Sequence, residues 1–239
     1  MRVNARSTTL SQTIAFCKER LVERILPLAA LERGTGEVRH FEAGVLEVYD
    51  TVSQSTQLVW DDVQAARLFL RRMPRPAWLV LESTALDAEA DRLFGFTHSM
   101  ACVNCLYDSS RPLPVLLPMT LVPLTAQDIP MVVQHYDVLP LDALQGAVAD
   151  GRLLGGWTDG EMVGFIGLHE EGSMGMLHVF EQHRGRGYAQ AIESLLINRL
   201  LAQGVRPFGQ IVVGNEPSMA LHRKLGFTFA AYAGSWRFR

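Results

Sequence analysis

The stretch Gln182-His183-Arg184-Gly185-Arg186-Gly187-Tyr188-Ala189 holds the residues of this chain best suited to binding chemistry. Glycines let a backbone approach an anion closely, and guanidinium groups at the rim can meet further phosphate oxygens. The spacing Q/R-x-x-G-x-G/A fits the stretch twice, as Gln182, Gly185, Gly187 and as Arg184, Gly187, Ala189. Downstream, Ala189, Ile192, Leu196 and Leu200 recur at helical spacing until Gly204 and Pro207 close the segment. The stretch is therefore predicted as a strand-to-helix junction, where unpaired N–H groups and the helix dipole favour a diphosphate.

The elements that must position this turn read as follows. Helices near Ala126–His135 and Leu141–Ala149 precede three strands, Leu153–Trp157, Met162–His169 and Met176–Phe180, with Asp159-Gly160 as a hairpin signal. This antiparallel meander runs directly into the junction. Beyond the junction helix, a strand over Ile211–Val213 leads through Gly214-Asn215-Glu216-Pro217-Ser218 into a helix that stops at Gly226.

The first half is also mixed α/β. One helix is predicted over Gln12–Leu31, stopping at Gly34, then strands at Val45–Tyr49 and Gln57–Trp60, a helix at Asp61–Arg72 and a strand at Ala77–Glu82. Arg75-Pro76 stands 20 residues before Gly95-Phe96-Thr97, and Arg206-Pro207 stands 20 residues before Gly226-Phe227-Thr228. This suggests two copies of one unit: strand, helix, Gly-Phe turn, strand. Between the copies, a run rich in proline from Arg111 to Pro123 suits an extended connector, and Val115, Leu116 and Leu117 suggest that it lies against protein. The expected division is residues 1–110, a connector at 111–122, and a domain at 123–239.

Composition narrows the function. A formal charge of −3 and a pI near 6.2 give no global attraction to polyanions, so nucleic acid is not an expected partner. No stretch reaches the roughly 20 apolar residues of a membrane span, and the start lacks the apolar core of a signal peptide, so the chain reads as cytoplasmic. Cys102 and Cys105 form a lone C-x-x-C in a strand-like context, read as two small buried thiols, and no metal site is expected.

Val179, followed by Arg184-Gly185-Arg186-Gly187-Tyr188-Ala189, then Asn215 and Ala220-Leu221-His222-Arg223-Lys224-Leu225-Gly226-Phe227, resembles the two signature blocks of the GNAT superfamily of acyl-CoA-dependent N-acyltransferases. The resemblance covers roughly Leu121 to Arg239. The run from Pro207 to Asn215 is similar to the glycine N-acyltransferase-like branch, which also carries a degenerate GNAT-like N-terminal half.

The resemblance implies an α/β (α+β) GNAT fold, a mixed, mostly antiparallel twisted sheet flanked by helices, with acetyl-CoA or another acyl-CoA as cosubstrate and no metal. It implies acyl transfer to a primary amine of a small molecule or amino acid by direct attack. The distance from Val179 favours the register that begins at Arg184. The diphosphate would meet Arg184, Gly185, Arg186, Gly187, Tyr188, Ala189 and Gln190, and the pantetheine arm would lie along Leu177, His178 and Val179, with an N–H near Val179 as oxyanion donor. Asn215 and His222 complete the implied cofactor set. His222 stands where the family often has a tyrosine acid, and histidine can donate a proton near neutral pH. His178, His169 and Glu170 are candidate bases. In the first copy, the positions aligned with the phosphate turn, Thr51–Gln57, hold no glycine. That half is expected to cover the acceptor site or to form a homodimer interface. The rival reading is a catalytically inactive CoA-binding sensor or assembly module with the same fold.

Overall fold

A computed structural model describes residues 3–136 and 139–239 of the chain. Its elements begin with α1 (Val3–Glu19), α2 (Ile25–Arg33), β1 (Gly36–Glu42), β2 (Val45–Asp50), β3 (Ser55–Trp60) and α3 (Val63–Leu70). There follow β4 (Trp78–Leu81), α4 (Asp87–Phe94), β5 (His98–Leu106), β6 (Thr120–Pro123), α5 (Ile129–His135) and α6 (Leu141–Ala149). The chain continues with β7 (Leu153–Thr158), β8 (Glu161–Leu168), β9 (Met174–Val179) and α7 (Tyr188–Ala202). It ends with β10 (Phe208–Val212), α8 (Glu216–Leu225), β11 (Thr228–Phe229) and β12 (Gly234–Phe238). This is a mixed α/β fold with a mostly antiparallel sheet flanked by helices, as the resemblance implied.

The chain forms two compact units: Met1–Leu106 with Gln210–Asn215 and Phe229–Arg239, and Tyr107–Gly209 with Glu216–Thr228. In the first, strands run in the order β1-β2-β3-β4-β12-β5. β3 and β4 are parallel, and β12 lies antiparallel between β4 and β5. Val45, Leu58, Trp60, Leu79 and Leu81 turn one sheet face toward α3 and α4, where Ala66, Leu70, Ala90 and Phe94 complete a core. Cys102 and Cys105 are buried on β5, as expected of small strand thiols.

The single helix expected over Gln12–Leu31 is two helices, because Pro27 has no N–H to give to Glu23 and its ring would clash in a continuous helix. The chain restarts at Ile25 with Pro27 in the first turn, where a missing N–H costs nothing. The break also lets Arg24 turn fully inward. Its guanidinium donates to the carbonyls of Phe16 and Trp60 and pairs with Asp61 at 2.6 Å and Glu82 at 3.3 Å. Gly34 ends α2 at φ 75°, as predicted for a glycine stop.

The repeated unit is present in both copies. β4, α4, Gly95 (φ 64°) and β5 answer to β10, α8, Gly226 (φ 84°) and β11. The register of the phosphate turn is corrected, however. Thr51–Gln54 makes the turn between β2 and β3, and the first copy's own strand-to-helix junction is Trp60-Asp61-Asp62. There the Asp62 carboxylate accepts from the Gln64 N–H at 2.8 Å and caps α3, so the helix end already holds an anion.

In the second unit β6-β7-β8-β9 is an antiparallel meander, and β10 joins β9 in parallel. α5 and α6 cover one face through Val132, Leu144, Ala147 and Val148 against Leu153, Phe165, Met176 and Phe180. α7 covers the other so closely that a Cβ on Gly156 would stand 2.8 Å from Ile192. The connector contributes β6, and beyond it Asn198 of α7 accepts from the Leu113 N–H at 2.7 Å and donates to its carbonyl at 2.9 Å. A paired amide of this kind makes up for the ladder that a chain rich in proline cannot form.

Candidate functional site

The site begins at the end of β9. Within the second unit the ladder on the side of β9 away from β8 has one registered pair, Gly209 with Met174, and past it that edge has no strand partner from the same unit among the described residues. β9 is irregular as well: Met176 has φ 54°, and the register with β8 shifts between Phe165 and Gly167. A bulge of this kind bends a strand and re-aims its amides. Since Phe180 N–H donates to Val163, alternation turns the N–H and carbonyl of Val179 toward the open edge. The Val179 carbonyl accepts from Arg184 Nε at 3.1 Å.

The turn from β9 to α7 is built by two left-handed glycines. A short 3-10 turn over Glu181–His183 carries Gln182, after which Arg184 is extended, Gly185 has φ 76° and Gly187 has φ 86° and caps α7. A Cβ on Gly185 would meet nothing within 4 Å, and one on Gly187 only Leu117 at 3.8 Å. Glycine is thus required here by the backbone angle, and the space outside stays open to a ligand. Arg184 and Arg186 are exposed at the rim, and Tyr188, Ala189 and Gln190 form the first turn of α7. His183, which sequence reasoning passed over, anchors the turn from below. It is buried, its Nε2 is 3.2 Å from Glu161, and its ring packs edge-on against Tyr188.

His178 sits beside this edge in an aromatic nest. Its ring stacks on Phe165 at 5.4 Å and 17°, with His135 at 5.6 Å and Phe180 at 6.0 Å. Nε2 is buried without a hydrogen-bond partner among the described residues. Burial first, then the charge of Arg184 and the electrostatic influence of His135, push its pKa below the ordinary histidine value, so the ring is neutral at pH 7. His135 belongs to this group although no local signal marks it, since only tertiary packing of α5 on β9 brings the rings together.

The other candidates lie elsewhere. His169 packs over Gly175, where a Cβ would stand 2.3 Å from its Nε2. Glu170 is exposed at the turn before β9, at the end opposite Val179, with Arg152 at 3.8 Å. His222 is buried in α8 and faces α7. Its Nε2 lies 2.9 Å from Glu193 Oε1 and its Nδ1 2.9 Å from the Ser218 carbonyl. Both nitrogens meet acceptors, an arrangement an imidazolium satisfies with its two N–H groups. Asn215 lies just before α8, its N–H donating to the Val212 carbonyl at 3.0 Å.

A mixed, mostly antiparallel sheet flanked by helices, with a bulged fourth meander strand and a double-glycine turn into a helix, is the GNAT class of fold, and solved structures of that class share it. The chain covers 97% of itself and 96% of a Drosophila protein at TM-score 0.65 and 16% identity. With an acetyltransferase of the GNAT family from Colwellia psychrerythraea it shares 13% identity over 84% of each chain, TM-score 0.52. With a GCN5-related N-acetyltransferase-like protein from Streptococcus suis it shares 16% identity over 90% of this chain and 93% of that one, TM-score 0.50. Residues 154–236 match the family model described as FR47-like protein. No curated protein matches the sequence. No helix among the described residues is long and apolar enough to cross a membrane.

Proposed function

We propose that the protein is an acyl-CoA-dependent N-acyltransferase that moves an acetyl or other acyl group to the primary amine of a small molecule or amino acid. The observation that carries this reading is the open edge of β9 running into the Gly185–Gly187 turn. The strand turns the Val179 N–H to its open edge beside a neutral histidine, and the turn supplies an anion cradle a few residues on. In this reading the N–H groups from Gly185 to Gln190 and the guanidinium groups of Arg184 and Arg186 hold the diphosphate. The main chain of Leu177 to Val179 holds the pantetheine arm, and an N–H of that edge near Val179 donates to the developing oxyanion. Asn215 and His222 flank the cofactor.

His178 is the base. Its unpartnered Nε2, neutral at pH 7, takes the proton of the attacking ammonium directly or through a water, and the freed amine nitrogen bonds to the thioester carbonyl carbon. The nitrogen then gives its second proton to solvent, the carbon–sulfur bond breaks, and the departing thiolate takes a proton for which His222, recharged from solvent, is the candidate donor. The placement in the glycine N-acyltransferase-like branch belongs to the same proposal and favours a small amino acid as acceptor. A second reading, a CoA-binding module without turnover, draws on the engagement of both His222 nitrogens by Glu193 and Ser218.

Release of free thiol from acetyl-CoA across a panel of small amines and amino acids separates the two. Turnover with at least one amine is expected, and His222→Phe, assayed where it remains folded, is expected to lower kcat with little change in acyl-CoA affinity. Binding without thiol release from any amine would favour the sensor, and an unaltered kcat in His222→Phe would leave that histidine as a clamp between α7 and α8.

A further inference from the structure

In the first unit, on the sheet face that carries α3, a recess of about 230 Å³ is lined by Arg39, Glu47, Thr56, Pro74, Arg75 and Pro76. That volume equals the liquid share of roughly eight water molecules, the scale of a small metabolite. Glu47 lies on β2 and is only 5% exposed. Its carboxyl group has no hydrogen-bond or ion-pair partner among the described residues, and burial raises its pKa against the pull of Arg39. Glu47 is thus a partly desolvated carboxylate at an open recess, and an entering cation or donor would offset the cost of that desolvation.

The nearby cations are held ready and do not close on it. Val38 pairs with Val48 and His40 with Glu47, so Arg39 is the extra residue of a β-bulge, a device that re-aims side chains. Its guanidinium carbon lies 3.7 Å over the Tyr49 ring, while His40 stacks on Phe69 of α3 at 4.1 Å. Arg75 is exposed on a segment that Pro74 and Pro76 stiffen. Thr56, buried at 3%, adds a hydroxyl to the lining.

Two guanidinium groups against one carboxylate give the recess a net charge of +1. We propose that it binds an acidic amino acid, with the ligand ammonium on Glu47, its two carboxylates on Arg39 and Arg75, and its methylene stem against the prolines. Arginine suits the carboxylates because its planar fork can bind them bidentately. The site lies wholly within the first unit and does not depend on the activity proposed for the second.

Calorimetric titration of the full chain with L-glutamate and L-aspartate, without acyl-CoA, tests it. Saturable binding of at least one acid is expected, weakened about tenfold or more, or 1.4 kcal/mol, in Glu47→Gln and in Arg75→Ala. Arg75 is exposed, so its variant reports on the site even if Glu47→Gln is less stable. Glutarate, without the ammonium, and L-glutamine, without the second carboxylate, are expected to bind at least about tenfold more weakly than L-glutamate. His178→Phe should leave the affinity unchanged. No saturable binding to the wild type overturns the proposal. So do unchanged affinity in both recess variants, equal affinity for glutarate or L-glutamine, and loss in His178→Phe alone, which would place the ligand in the second unit.

Discussion

His178 is a titratable side chain whose surroundings suit it to accept a proton at neutral pH. The aromatic nest around it withdraws water from the ring, and the Arg184 guanidinium, with His135 beside it, makes a positive charge there costly. The sign of the pH dependence follows. Because the folded pKa is lowered, the proposed base is free at pH 7, so the limb of kcat/KM that His178 sets should lie on the acid side, where the ring takes a proton. His178→Phe should lower kcat by about a hundredfold, a usual loss for a general base, and remove that acid limb. A retained acid limb in the variant would assign it to another group. His222 is a different case: a histidine clamped between Glu193 and a carbonyl is first a packing device, and removing the ring strands a carboxylate that is 2% exposed.

At the level of elements, the turn into α7 separates backbone shape from ligand contact. Gly187→Ala must hold φ near 86° with a side chain, which costs roughly 1–2 kcal/mol, and the proposed cradle would also lose its closest approach to phosphate. Gly204, at the other end of α7 with φ 71°, carries the same backbone cost with nothing within 4 Å. The two alanine variants should therefore lose similar stability in thermal melts, while only Gly187→Ala weakens acyl-CoA binding by about tenfold or more. Equal acyl-CoA affinity in both would remove the turn from the binding site.

The turn itself was legible because glycine, arginine and a helical apolar repeat are local signals. α6 was read from Leu141 to Ala149 as found, and Asp159-Gly160 marks its hairpin with φ 49° and 78°. β1 was missed because Gly36–Glu42 is half polar and alternates weakly, and β6 because proline surrounds it. The break before α2 was written in Pro27, yet the apolar period on either side outweighed it. Neither the Met176 bulge nor the nest around His178 has a local signature, since both arise from pairing and packing between distant segments.

For the whole molecule, the order of strands matters more than any one contact. β12, far along the chain from both of its partners, takes ladder bonds from β4 on one side and β5 on the other. A truncation that begins near Leu121 removes both neighbours and leaves β12 with two bare edges, a template for association. Such a fragment is expected to aggregate or self-associate in size-exclusion chromatography and to lose activity. A soluble, monomeric and fully active fragment would overturn the role proposed for the N-terminal half, to cover the acceptor site or to form a subunit interface.

The same insertion sets a timetable for synthesis. At 5–20 residues per second, the roughly 130 residues between β5 and β12 take about 6–26 s to emerge, and for that interval β4 and β5 have no strand to fill the place between them. The sheet of the first unit is begun early and completed only when β12 emerges, so during translation it depends on whatever shields those edges until then.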